Sequence, residues 1–359
     1  MMKLVRRFLI IITFIVIVGI LGFWVVYNTN IGCVDKKNTD VIRFDVKDGS
    51  NFYNIGSSLK KEGLIKSEFF YKLYIKLNKP NHIQTGIYEL NKTMDVEDIV
   101  KTLQGKSINP NELSITFKEG YDMKDIIKVI TSKTNNTEED ILNKLKDTEY
   151  LTSLINKYWF IDESILNSEI YYSLEGYLYP ETYRFKDKDV SIEEIFNTMI
   201  EQLNIQLERY KSDIEQNSYT PHQLLTLSSI VELESLTGSD RAGVAGVFYN
   251  RLNANMNLGS DVTTYYAAGV EMGERDLYMD EITDNNAYNT RSNSMAGKLP
   301  IGPICNPSIE SIGAVIHPSQ HDYYYFVGDK NGKTYFSKNS TDHNNTISKL
   351  KQEGLWYEY

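Results

Sequence analysis

The sequence predicts an α+β protein of two modules behind one apolar N-terminal helix. Three observations carry this reading. An uncharged run extends from Phe8 to Tyr27, strand-like and helix-like segments alternate between Val41 and Ser107, and a second half follows in which Gly-rich turns and clustered polar motifs replace that alternation. With 359 residues, each module has the length to bury a core of its own.

The run FLIIITFIVIVGILGFWVVY has about the ~20 residues a helix needs to cross a bilayer. Lys3, Arg6 and Arg7 precede it, no basic residue follows until Lys36, and Trp24 and Tyr27 suit the far interface, so residues 1–7 are expected in the cytoplasm and the rest outside. The apolar run is longer than a signal-peptide core and the segment after it has no small-x-small cleavage site, which favours an uncleaved anchor. Residues 28–40 are short and polar, as a tether would be.

Within 41–107, VIRFDV reads as a strand, NFYNIGSSLKKEG and SEFFYKLYIKL as helices, QTGIYELN as a second strand and DVEDIVKTLQG as a closing helix. Asp48-Gly49 supplies a turn, and Gly63 and Gly105 end helices. ITFKEGYDMKDIIKVITSK repeats the order of strand, Gly turn and amphipathic helix, and the larger domain is expected to span 108–359. Between 134 and 168 apolar residues recur at helical spacing (Ile141, Leu142, Leu145, Leu151, Leu154, Ile155), which reads as a helical insert or arm.

Composition narrows the function. The net charge of −10 with dispersed acidic residues disfavours a nucleic-acid partner, which needs a concentrated basic face. Cys33 and Cys305 are the only cysteines, the five histidines lack metal-ligand spacing, and no glycine pattern cradles a phosphate, so neither a metal nor a nucleotide cofactor is implied. The 26 tyrosines offer rings with a polar tip, suited to stacking on sugars as well as to packing at core rims.

HQLLTLSSIVELESL, preceded by Pro221, reads as a mostly buried helix carrying Glu232 and Glu234. On a helical wheel Glu232 shares a face with Leu225, Ser228, Ser229 and Leu236, and Glu234 points roughly 200° away, so the two carboxyls serve different surroundings. Either one, held against apolar neighbours, would have the raised pKa that a proton donor needs; the alternative is an ion pair with Arg241 or Arg251.

Downstream stand Asn250-Arg251-Leu252, LGSDVTTYYAAG, Ala287-Tyr288-Asn289-Thr290 and KLPIGPICNPS, with LEGYLYPETYRF upstream and YYYFVGDKNGKTYFSKNSTDHN near the end. With the Ser-Ile-Val-Glu motif, these segments resemble the YceG-like endolytic murein transglycosylases over nearly the whole chain. The resemblance implies a single-pass anchor, a LysM-like module at 41–107 and a catalytic domain after it. It also implies cleavage within nascent peptidoglycan strands beside the cell-wall synthesis machinery and its penicillin-binding proteins, and Glu232 as the catalytic acid. Asn250, Asp261, Tyr288 and Asn289, with Ser229 on the helix, match positions expected to line the substrate groove. The chain departs from the family's usual pattern at Asp261-Val262-Thr263 and at Arg291-Ser292-Asn293-Ser294.

Such an enzyme works with one carboxyl: the acid protonates the leaving oxygen, then accepts the proton of the muramyl C6 hydroxyl as that oxygen closes a 1,6-anhydro ring. A second carboxylate opposite, for which Asp261 is the candidate, would instead permit a hydrolysing muramidase. A tethered wall-binding scaffold without catalysis is the competing reading of another class.

Overall fold

The structure, a computed structural model, describes residues 2–47, 49–107, 112–235 and 240–356, with side chains from residue 11 onward. Lys3, Arg6 and Arg7 therefore lie outside the described side chains, as does Leu236 outside the described residues. The chain divides into two compact units, Met1–Glu112 and Leu113–Tyr359.

The first unit begins with α1 (Met2–Ile31), whose stretch Ile11–Ile31 is long and apolar enough to cross a membrane. The helix does not give way to a tether at Asn28. Asn28, Thr29 and Asn30 donate from their side chains to the carbonyls of Trp24, Val25 and Val26 one turn back, and Lys66 Nζ donates to Thr29 O at 3.0 Å. These bonds let polar residues continue the helix that the apolar run starts.

Strand β1 (Ile42–Val46), helices α2 (Gly56–Lys61) and α3 (Glu68–Asn78), strand β2 (Gly86–Leu90) and helix α4 (Val96–Gln104) follow. The strands pair antiparallel from Ile42 opposite Leu90 to Val46 opposite Gly86. Their alternation puts Phe44, Val46, Tyr88 and Leu90 on one face, where they meet Leu59, Tyr71, Ile75, Ile99 and Leu103 of the helices. Asp95 and Asp98 close a capping box at the start of α4.

The second unit runs β3 (Leu113–Thr116), α5 (Met123–Lys133), α6 (Glu138–Leu145), α7 (Thr148–Lys157), β4 (Thr182–Phe185), α8 (Ile192–Leu207) and α9 (Lys211–Glu215). It continues with α10 (Pro221–Glu234), α11 (Arg241–Asn253), α12 (Asp261–Ala268), α13 (Met279–Thr283), α14 (Ile309–Ile316), β5 (Tyr325–Gly328), β6 (Thr334–Ser337) and α15 (Ser340–Gln352). The second strand–turn–helix copy forms as β3 and α5, but β3 pairs antiparallel with the distant β4. Residues 134–168 are not an arm: Ile141, Leu145, Leu151 and Leu154 share one hydrophobic core with α8 and α10.

At the heart of this unit α10 packs against α11 and α14, and residues His222 and Leu224–Val231 are buried. Thr220 and Gln223 form a capping box, and Pro221 stands in the first turn, where a missing N–H costs nothing.

Gly176, in LEGYLYPETYRF, has φ +83°, and a Cβ there would lie 2.4 Å from Pro303 Cβ, a rigid ring that cannot swing aside. Gly176→Ala is expected to cost about 1–3 kcal/mol from the backbone alone, with the clash added, read as a lowered melting temperature by circular dichroism.

Candidate active site

The C-terminal turn of α10 carries both carboxyls, and the helix sends them to different partners, as the wheel requires. Glu232 is nearly sealed: its side chain is 7% exposed. Its Oε2 accepts from the Ser308 backbone N–H at 2.8 Å and from the Ser308 hydroxyl, while Oε1 faces Arg241 Nη2 at 3.6 Å. Arg241 is itself fixed by Nε donating to Ser311 Oγ at 3.0 Å. Ser308 is the N-cap of α14, so Glu232 ties the end of α10 to the start of α14 and α11. The turn at Gly120 comes down on this pair, since a Cβ at Gly120 would sit 3.8 Å from Glu232 Cγ. Beside it, burial and the charges of Glu232 and Glu310 raise the Glu119 carboxyl above its ordinary range.

Glu234, like Glu232, is half-buried as a whole residue. Burial pushes its carboxyl up, the Asp261 charge adds to this, and the Ser260 hydrogen bond with Arg251 and Arg291 pulls the other way. The Ser260 hydroxyl donates to Glu234 Oε1. Ser260 occupies the N-cap position of α12 without capping it through its side chain, which leaves that hydroxyl to the glutamate.

The loop beneath Glu234 is built from the motif residues. The Ser260 N–H donates to Thr290 Oγ1 at 3.0 Å, Thr263 and Thr290 hydroxyls meet at 2.7 Å, and Thr264 donates to Asn289 Oδ1 at 2.9 Å. Asp261 forms an ion pair with Arg291 at 2.5 Å and stays exposed on the same rim. LGSDVTT and AYNTR thus converge on Glu234, and Asp261 is the second carboxylate of its surroundings.

Three residues expected at the groove, Asn289, Tyr288 and Ser229, are buried, and a fourth, Asn250, is half-buried. Asn289 is fully buried and spends its Nδ2 on the carbonyls of Glu281, Ile282 and Asp284. Tyr288 is fully buried, packed between the rings of Tyr171 (4.8 Å) and Tyr266 (5.0 Å), with its hydroxyl accepting from the Tyr171 N–H. Ser229 is buried and bonds Thr226 O and the Ile304 N–H. Asn250 donates to the carbonyls of His321 and Tyr323, beside a cavity of about 300 Å³ that Asn217, Tyr249 and Gln320 also line. Tyr288, Asn289 and Ser229 hold loops in place in this conformation, whereas Asn250 lines that cavity.

A groove of about 1130 Å³ lies along α6 and α8, lined by Asn143, Lys144, Glu193, Asn197 and Glu201, and includes neither α10 carboxyl. Sequence reasoning misses Ser260 and Ser308 as partners of the carboxyls. A serine between Gly259 and Asp261 at a helix start is a signal for Ser260, although its hydroxyl serves Glu234 and not the helix.

The chain matches the YceG-like family over residues 44–349. It is 36% identical over 317 residues to the endolytic murein transglycosylase of Bacillus subtilis strain 168, covering 88% of this chain and 86% of that protein. It is 34% identical over 331 residues to the endolytic murein transglycosylase of Streptococcus pneumoniae serotype 2, covering 88% of this chain but 59% of that longer protein. Among solved structures, a crystal structure of a yceG-like protein from Listeria monocytogenes superposes with a TM-score of 0.61 at 34% identity, over 86% of this chain and 99% of that one.

Proposed function

This chain belongs to the YceG-like family, and on that premise we propose that it is a membrane-anchored enzyme that cuts within nascent murein glycan strands and leaves 1,6-anhydro-N-acetylmuramyl ends. It is a lytic transglycosylase, and peptidoglycan is its substrate. Glu232, the glutamate of the Ser-Ile-Val-Glu motif, serves as its single acid. The observation that carries this choice is its setting at the end of α10, where the carboxyl is drawn out of water, held through Oε2 by the Ser308 N–H and hydroxyl, and met at Oε1 by the half-buried Arg241. The motif segments LGSDVTT and AYNTR gather at the same end of α10, beneath the neighbouring Glu234.

The protonated Glu232 carboxyl gives its proton to the glycosidic oxygen between N-acetylmuramate and N-acetylglucosamine, and the bond from C1 to that oxygen breaks. The carboxylate then takes the proton of the muramyl C6 hydroxyl as its oxygen bonds to C1. Atoms balance without water, and one group suffices because the carboxylate left by the first half is the base of the second. Ser308 fixes the Oε2 end of the Glu232 carboxyl, and Oε1 faces the Arg241 guanidinium. Arg291 holds Asp261 in an ion pair, a setting for shaping the rim.

The N-terminal helix α1 anchors the protein with its first residues in the cytoplasm and both units outside, where the cell-wall synthases and their penicillin-binding proteins supply new strands. The pair β1–β2 with α2 and α3 between its strands supports a LysM-like glycan-binding role for the first unit. Incubating the full chain in detergent with long uncross-linked glycan tests the reading. Internal cuts should shorten strands from the earliest times; release of disaccharides from one end only contradicts an endolytic enzyme, and strands left intact favour the scaffold.

A further inference from the structure

Helix α3 has two apolar faces. At ~100° per residue, Tyr71 and Ile75 point one way, and both are buried in the first unit's core. Phe69, Leu73 and Leu77 point the other way, with Phe69 67% and Leu77 64% exposed. A short helix that already has its core face buried gains nothing in water from a second apolar stripe, so that stripe needs an occupant.

The position of α3 identifies it. Phe70 packs against Phe23 at 6.3 Å and against Tyr27 at 6.2 Å, both on the apolar part of α1. Phe23 stands eight residues before the end of α1 at Ile31, roughly 12 Å down its axis. The exposed apolar surface of α1, with Phe23 at 54% and Trp24 at 64%, therefore continues onto Phe69 and Leu77. Lysines frame the stripe: Lys66 before α3, Lys72 and Lys76 on it, and Lys79 at its C-cap.

We propose that α3 is an interfacial membrane helix, with Phe69, Leu73 and Leu77 seated in the outer leaflet beside the emerging span and the lysines at its headgroups. Aromatic and aliphatic anchors with basic flanks are the composition of helices that lie in the boundary plane, and anionic lipid strengthens them. The first unit is then held flat on the bilayer through two elements instead of hanging from one. This rests on the reading of α1 as an anchor.

The test uses the full chain with Cys33→Ser, since the other cysteine, Cys305, is buried. Nitroxide labels are placed singly through Phe69→Cys and Leu77→Cys, through Ile17→Cys in the span and through Glu62→Cys on an exposed surface. The protein is reconstituted in phosphatidylethanolamine–phosphatidylglycerol vesicles, and collision with oxygen is compared with collision with a water-soluble nickel chelate. The expected result is an oxygen-to-nickel ratio at 69 and 77 several-fold above that at 62 and close to that at 17. If 69 and 77 behave like 62 while 17 is lipid-like, the proposal falls and the anchor stands. Labels at 69 and 77 shielded from both reagents mean a protein partner and overturn it as well, and a water-exposed label at 17 removes the anchor and this inference together.

Discussion

Glu232→Gln is expected to lower glycan cleavage by about 10²–10⁴-fold, the contribution of a positioned general acid, with little change in the far-ultraviolet spectrum. The amide oxygen can still accept from Ser308, so the local frame survives while the transferable proton is lost. Glu234→Gln should behave otherwise. Its amide keeps an oxygen for the Ser260 hydroxyl, so cleavage should stay within about tenfold, or ~1.4 kcal/mol in barrier. Measuring both variants at equal concentration on one glycan preparation separates the two carboxyls. An active Glu232→Gln with a dead Glu234→Gln reverses the assignment.

The second large effect concerns Glu175, which takes no part in the proposed chemistry. Its carboxyl is 1% exposed and binds the Met123 N–H at 2.9 Å, Asn306 Nδ2 at 3.1 Å and the Tyr266 hydroxyl at 3.2 Å. It thereby joins the start of α5, α12 and the loop that leads to Ser308. Glu175→Leu removes the acceptor of the buried Met123 N–H and of the Tyr266 hydroxyl, and leaves Asn306 Nδ2 with Tyr121 O alone. The expected loss is about 3 kcal/mol or more, and the second unit should melt roughly 6–12 °C lower.

Burial raises Glu175 from 4.5 to about 8, which fixes the sign of a pH effect. The folded group holds its proton through a range in which the unfolded chain releases it. Its stability contribution is thus full below the unfolded value and declines by up to ~1.4 kcal/mol per pH unit as pH climbs toward the folded one. Glu175→Gln, which resembles the protonated acid in shape, should flatten that slope between about 4.5 and about 8 in denaturant titrations. An unchanged slope would show that Glu175 is ionised in the native protein.

Local chemistry made much of the fold legible. Asp95 with Asp98, and Thr220 with Gln223, mark helix starts through caps that operate within four residues, and the alternation in IRFDV and GIYEL fixes which side of the β1–β2 pair is buried. What depended on distant chain was harder to read. The pairing of β3 with β4 joins segments 66 residues apart at Thr116 and Thr182, and nothing in either strand names its partner. The segment 134–168 looked polar enough for an arm, yet one buried residue per turn sufficed to draw it into the core.

The site divides in the same way. Helical geometry alone separates Glu232 from Glu234, but nothing local names their partners, Ser308 and Arg241 for the one and Ser260 for the other. Those partners come from other loops and helices, and tertiary contacts of that kind leave no local mark. The motif residues Tyr288 and Asn289 stand out in the sequence because the loop needs them inside, where they satisfy carbonyls and fill space.

The most direct test of a single-acid transglycosylase is digestion of purified glycan by the full chain in ¹⁸O-labelled water, with the new ends read by mass spectrometry. Closure by the muramyl C6 oxygen predicts anhydro ends that are one water lighter than reducing ends and carry no label. Reducing ends that have taken up ¹⁸O would mean that water is the nucleophile, with Asp261 or another carboxylate as its base, and would contradict the account.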